Sequence, residues 1–327
     1  MTATTIMPVP DLAEIELPAL VRAQARHYQR SARADNTLRA YRASLAAFRD
    51  SCAEHGREAM PATVETVAAF LADQAAAGRT AGTVALRAAA IAFAHRSAGV
   101  PNPCDAAAVT ETLRGIRRER AQERRGPKRA AALTVERLAA CLQTLDRETL
   151  HGKRDAALLA LGFAIGARRS ELVAIEVQDI RDDGEGLHVL LVRSKTDQTG
   201  EGAALYVPLA GNAQLCAVCA VRAWLLASGI TEGPLLRAIS GNGTLAGSLT
   251  DRSVDLVVRR VTKRAGIEGE GRWSAHSLRA GLVTTLAERG RTELQIMSQS
   301  RHRSSAMVRT YVRTLDAKNA CPLKGAF

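Results

Sequence analysis

The chain has 327 residues, 46% of them hydrophobic and 3% aromatic, and 45 Lys+Arg against 33 Asp+Glu leave a net charge of +12 and a pI near 10.0. That length supports about two domains with real cores. No apolar run reaches the roughly 18–20 residues of a membrane span, and the opening "MTATTIMPVPDLAEIELPAL" lacks a basic-then-apolar leader, so a cytoplasmic protein without a membrane partner is expected.

In chain order, residues 1–19 read as a flexible arm and 20–122 as an all-helical domain. In "NTLRAYRASLAAFRDSCAEHG" the residues Leu38, Tyr41, Leu45, Phe48 and Cys52 fall at steps of three and four, one apolar helix face. Asn36 is its candidate cap and Gly56 its stop. Helical stretches follow around Val64–Ala77 and Thr83–Ala98, then a loop holding Pro101 and Pro103, then a helix running into "RGIRRERAQERRGPKR". Those sixteen residues, 114–129, carry eight Lys/Arg and two Glu, a net of +6 and half the excess charge of the chain. A charge run is usually solvated surface. Concentration in one stretch around Gly126-Pro127 fits a basic linker, placed at 123–133, that tracks a phosphate backbone. Arg117, Arg118, Arg124, Arg125, Lys128 and Arg129 are its candidate DNA contacts.

From 134 to 327 the pattern predicts a mixed α/β domain, mostly helical with a small antiparallel sheet. Helices are expected at 134–145, 152–165, 213–227, 251–265, 276–289 and 305–315. Strands are expected at "LHVLLVR" (187–193) and "ALYVPLA" (204–210), with a third drawn from "VAIEVQDI". "GNGTLAG" (241–247) reads as a surface loop. Cys216 and Cys219 form a C-x-x-C without a second pair or histidines at a suitable spacing, so they are assigned to core packing on a helix stripe with Leu215, Ala223 and Leu226 rather than to zinc. No phosphate-binding G-x-x-x-x-G-K-[ST] loop exists, "RDDGEG" lacks the spaced acids of a calcium loop, and neither a metal nor a cofactor is expected.

Six chemistry-bearing residues remain. Arg168 lies in "GARRSELVAI" just after Gly166, whose turn can aim a guanidinium inward. Lys195 opens the loop between the two main strands. "SAHSLRAG" places His276 and Arg279 at i and i+3 on one helix face, after Ser274 as candidate cap. "SRHRSSAMVRTYVR" holds His302 and, nine residues on, Tyr311, one of only four tyrosines. Ser304 or Ser305 can start a new helix between them, leaving His302 in the preceding turn. Each feature alone has a bland reading as surface or packing.

Their joint order, Arg…Lys…His-x-x-Arg…His…Tyr, closely resembles the tyrosine recombinase (phage integrase) family, and the resemblance extends to a helical core-binding domain joined to a catalytic domain by a basic linker. One departure is Arg301, where many relatives carry glycine before the final histidine; a positive φ there would strain it. The resemblance implies site-specific cleavage and rejoining of double-stranded DNA, in integration, excision, transposition or resolution of mobile DNA. Tyr311 would attack the scissile phosphate to give a 3′-phosphotyrosyl link, with Arg168 and Arg279 on the non-bridging oxygens. His302 would donate to the same oxygens, Lys195 would protonate the leaving 5′-oxygen, His276 would serve as a base, and Glu171 would orient the cluster. A homo-tetramer on two DNA sites is implied, with accessory recombination proteins as further partners. The alternatives are a DNA-binding regulator of the same fold that no longer cleaves, and a type IB topoisomerase.

Overall fold

In the computed structural model, which describes residues 24, 35–122, 130–192, 202–268 and 271–309, the chain divides into two units, Met1–Pro127 and Lys128–Phe327. The described residues of the first hold helices and no strand: α1 (Asp35–Glu54), α2 (Val64–Ala76), α3 (Ala81–Ser97) and α4 (Ala107–Gln122), with a short 3-10 turn at Pro103–Asp105. Asn36 falls inside α1, where its Oδ1 accepts from Arg39, rather than at the cap. Thr63 and Thr80 do cap α2 and α3, each accepting the amide of the third residue on. The apolar stripe of α1 ends in buried Phe48 and Cys52, which join Val67, Leu71, Val84, Ile91 and Val109 in one core. Phe48 meets Phe70 edge to face at 5.0 Å between centroids. Fully buried His95 is satisfied on both nitrogens, Nε2 accepting the Ala62 amide at 2.9 Å and Nδ1 donating to the Ile91 carbonyl at 2.9 Å.

The second unit is built around α6 (Leu150–Ala164), which is buried along most of its length, with Leu158, Leu159 and Leu161 at 0% exposure. A helix this apolar all round must be wrapped on every side. Its neighbours are α5 (Val135–Gln143), α8 (Ala217–Ser228), α9 (Asp251–Arg264) and α10 (His276–Glu288). The chain passes so close to α10 at Gly281 that a Cβ there would overlap the Leu133 carbonyl.

Strands β1 (Ile180–Asp182), β2 (Gly186–Leu191) and β3 (Ala203–Pro208) form an antiparallel sheet in the order β1-β2-β3. Register pairs Ile180 with Val189 and Leu187 with Val207. Leu187, Val189, Leu191, Leu205 and Val207 turn to the core, whereas Leu190 and Tyr206 are exposed, the alternation expected of a half-buried sheet. Only the end of "VAIEVQDI" contributes the third strand. Val173 and Ala174 finish helix α7 (Arg169–Ala174), and Val177–Asp179 make a 3-10 turn. "GNGTLAG" is not simply a loop, because it turns a hairpin between β4 (Arg237–Ile239) and β5 (Leu245–Ser248). At α8, Cys216 is the N-cap residue and buried, Cys219 and Leu215 are half-buried, and Ala223 and Leu226 are exposed, so the anticipated stripe fails beyond Cys219 and the helix instead buries Ala217, Val218, Ala220, Val221 and Trp224. Helix α11 (Glu293–Ser300) was not anticipated.

Candidate active site

The site grows from the C-terminal end of α6. The last carbonyls of any helix lack partners within it and carry the negative end of its dipole. Here the last helical carbonyl and the two that follow it, at the cap and in the turn, are filled by side chains from far along the chain. Gln299 donates to Ala164 O at 2.8 Å, Arg301 to Ile165 O at 2.7 Å and Arg279 to Gly166 O at 2.8 Å. Gly166 itself adopts φ +53°, and a Cβ on it would lie 2.9 Å from Leu282 Cδ2 and 3.5 Å from Ser300 Cα. This left-handed turn reverses the chain into Arg168, the N-cap residue of α7.

Arg168 is held by Glu171, one turn into α7. The Arg168 amide donates to Glu171 Oε2 at 2.9 Å, and its guanidinium pairs with Oε1. Arg301 donates to the same Oε2 at 2.7 Å. The Glu171 side chain is 1% exposed. Burial alone would raise its pKa, but the Arg168 amide and the two guanidinium groups together outweigh burial and hold it below the ordinary carboxylate range.

On α10, buried Arg279 also donates from Nε to His302 Nε2 at 3.3 Å. His302 Nδ1 lies 2.7 Å from Ser300 Oγ, which itself donates to Ile296 O at 2.5 Å. With the hydroxyl proton committed to that carbonyl, Ser300 accepts from Nδ1–H, and Nε2 is left as an acceptor facing Arg279. Burial first, then repulsion from Arg279, Arg168, Arg301 and His276, pushes the His302 pKa down to about 4. The imidazole is therefore neutral at pH 7.

His276 begins α10 and is exposed, with its pKa lowered by desolvation and by Arg279, Arg168 and Arg169, against the opposing pull of Asp255. Asp255 fixes the start of that helix, accepting the Ala275 amide at 2.8 Å while pairing with Arg169 at 3.1 Å. The Ser274 hydroxyl does not cap it. The residue at the cap is Ala275, and the Ser274 amide instead donates to Ser277 Oγ at 3.1 Å. After His302, Ser304 Oγ accepts the Ala306 amide at 3.2 Å and starts a new helical turn, 305–309, that buries Val308 against Val283 and Ile296.

Four of the six expected residues thus meet at one place: Arg168, His276, Arg279 and His302. Tyr311 and Lys195 lie outside the described residues, two residues beyond Arg309 and three beyond Val192. Arg124, Arg125, Lys128 and Arg129 also lie outside them, whereas Arg117 and Arg118 are exposed on α4. Sequence reasoning missed Gln299, Ser300 and the clamp made by Arg301. "TELQ" carried the available signal for their helix, because Thr292 and Gln295 form a capping box, with reciprocal bonds of 3.3 and 3.0 Å. Among the described residues no group of three or more His, Cys, Asp or Glu could hold a metal ion, and no helix is long and apolar enough to cross a membrane.

Residues 131–318 match the phage integrase family, and 26–96 match the phage integrase N-terminal SAM-like domain. An integrase/recombinase XerD homolog of Selenomonas ruminantium is 36% identical over 304 residues, 92% of this chain and 88% of that protein. The recombinase Cre of Escherichia phage P1 is 26% identical over 290 residues, 84% of this chain and 82% of that one. Among solved structures, lambda integrase (residues 75–356) bound to DNA superposes with a TM-score of 0.59 at 18% identity, covering 90% of this chain and 93% of that one. A lambda integrase tetramer bound to a Holliday junction gives 0.57 at 18% identity, covering 89% and 76%.

Proposed function

The chain belongs to the phage integrase family, and from that premise we propose that it is a site-specific recombinase that cuts and rejoins duplex DNA through a 3′-phosphotyrosyl intermediate. One observation carries the residue assignment. Arg168, two residues past the Gly166 turn, is held by Glu171, and Arg279, more than a hundred positions further on, binds the carbonyl of that same Gly166, with His302 against it.

In this reading Tyr311 Oη attacks the scissile phosphorus. A P–O(tyrosine) bond forms and the P–O5′ bond breaks, leaving the 3′-phosphate on the enzyme and a free 5′-hydroxyl. A free phenol has pKa ~10, so forming phenolate at pH 7 costs about 4 kcal/mol. The surrounding cations offset that cost, and neutral His276 is the base that takes the proton. The Arg168 and Arg279 guanidiniums match the planar fork of the non-bridging oxygens and stay charged at every working pH. Lys195 gives its proton to the departing 5′-oxygen. His302 reaches the phosphate as a donor only after its Nε2 gains a proton, which an arriving phosphate anion favours. One ester replaces another, so the reverse step onto a new strand needs no external energy source.

The partner is double-stranded DNA. We assign its core-binding contacts to 20–122, with the basic linker at 123–133 on the backbone, catalysis to 134–327, and strand exchange to a homo-tetramer on two sites in the cytoplasm, with accessory proteins as further partners. A nicked suicide substrate carrying the cognate site tests the chemistry. A covalent protein–DNA adduct should form and be lost in Tyr311→Phe, whereas tight binding without any adduct would assign the chain to DNA-binding regulation instead.

A further inference from the structure

Arg301 adopts φ 55°, ψ 40° at the end of α11, and among the described residues no other non-glycine has positive φ. A long side chain in that region is a rare conformation that the surroundings must hold in place. What holds it is polar. One guanidinium nitrogen caps Ile165 O and another binds Glu171 Oε2, both at 2.7 Å, while the Arg301 side chain is 12% exposed. Its Nε is buried with no hydrogen-bond partner among the described residues. The Arg168 side chain, on the other flank of Glu171, is more open at 20%.

We propose that Arg301 is a positioning residue for the cleavage reaction, acting through Glu171 to set the direction of the Arg168 guanidinium. The proposal rests on Arg168 being a phosphate ligand, as assigned above. The contacts run without a gap from the turn that carries His302, through Arg301, to the carboxylate that grips both the backbone and the side chain of Arg168. A glycine here would keep the turn and lose the link. The residue therefore ties the final sequence box to the first, so that the phosphate clamp assembles only when the His302 segment is seated. Two further carboxylates, Glu176 and Asp179, line the cleft beside Glu171 and add negative charge on that side. Arg301 also helps depress His302, so its removal acts on two titrations, which the Glu171→Gln background separates.

The test is single-turnover adduct formation on the suicide substrate from pH 5 to 9, alongside DNA affinity and thermal unfolding. Arg301→Gly and Arg301→Asn both accept the left-handed turn, and Arg301→Lys keeps the charge without the fork. For Gly and Asn we expect unfolding within a few degrees of wild type, DNA affinity within about two-fold, an adduct rate down ten-fold or more, and an acid limb moved to higher pH as Glu171 loses one of its cations. In Glu171→Gln the same changes should cost less than two-fold. Wild-type rates and pH profile in Arg301→Gly, equal losses in both backgrounds, or a loss that merely tracks the folded fraction in all three variants would each overturn the proposal. Arg168→Ala is the companion control. Full cleavage in that variant would sink the site assignment itself, whereas its failure to cleave beside an active Arg301→Gly would sink only the positioning role.

Discussion

Arg279 donates to the carbonyl of Gly166 at 2.8 Å across 113 residues of sequence. One guanidinium thereby neutralises the end of a buried helix and, from Nε, faces His302. A lysine cannot make both bonds, so substitution here can separate the contribution of this side chain to the fold from its proposed part in cleavage.

Arg279→Ala and Arg279→Lys should therefore differ in folding but agree in chemistry. Loss of one donor at a developing anion typically costs a hundred- to thousand-fold, about 3–4 kcal/mol, and both variants should lose adduct formation on that scale. Alanine should also lower the melting temperature, since it leaves the Gly166 carbonyl without its partner, while lysine retains part of the stability. Comparable adduct rates in Arg279→Lys and wild type would contradict the assignment.

Buried His302 gives a signed pH dependence. Its folded pKa of about 4 lies below the unfolded value of roughly 6.5, so the unfolded chain binds more protons between those limits. The contribution is complete above pH 6.5 and is lost as pH falls toward 4, up to on the order of 3 kcal/mol. Depressed Glu171 acts in the same direction lower down, below the ordinary carboxylate pKa. Unfolding measured from pH 4 to 7.5 should show a shallower acid dependence in His302→Gln than in wild type, and parallel curves would refute the buried neutral ring.

The tautomer is separately testable. Because Ser300 Oγ spends its proton on Ile296 O, the His302 ring should carry its proton on Nδ1, visible in nitrogen chemical shifts. Ser300→Ala removes that acceptor and should redistribute the proton toward Nε2. An Nε2–H tautomer in the wild-type protein would show the hydroxyl pointing the other way.

Much of this was legible in the chain, for reasons that differ by residue. The three-and-four spacing of Leu38, Tyr41, Leu45, Phe48 and Cys52 encodes α1 directly, and the His276/Arg279 pair falls on α10 where a helix period puts it. What escaped was interaction at long range. Nothing local to Arg301 announces that its guanidinium will reach Ile165 and Glu171, 136 and 130 residues away. Ser274 failed as a cap because the chain there enters α10 already helical at Ala275, with Asp255 taking that amide. The β4–β5 hairpin was hidden by strands of three and four residues, too short to show alternation.

Two glycines should rank differently from a surface one. Gly56 has φ +60° with open space around it, so Gly56→Ala should cost only the left-handed penalty of roughly 1–2 kcal/mol. Gly166→Ala adds a tight contact with Leu282 and shifts the carbonyl that Arg279 uses, so it should lower both melting temperature and cleavage. Gly281→Ala needs the Leu133 backbone to move and should be the worst of the three. Thermal unfolding gives the order directly, and a Gly56→Ala loss equal to that of Gly281→Ala would contradict the close approach.

Arg117 and Arg118 provide the charge test. Both are exposed on α4, where a basic side chain is free to meet a phosphate and displace a condensed counterion. Each phosphate contact contributes about 0.9 to the slope of log K against log salt. Arg117→Ala and Arg118→Ala should each weaken binding to cognate and unrelated duplexes alike and flatten that slope by about one. Contacts to base edges would behave differently, costing affinity on the cognate site while leaving non-specific binding almost untouched. A double variant with an unchanged salt slope would move the DNA-facing surface of this unit away from α4, and the excess of basic residues there would then serve solubility alone.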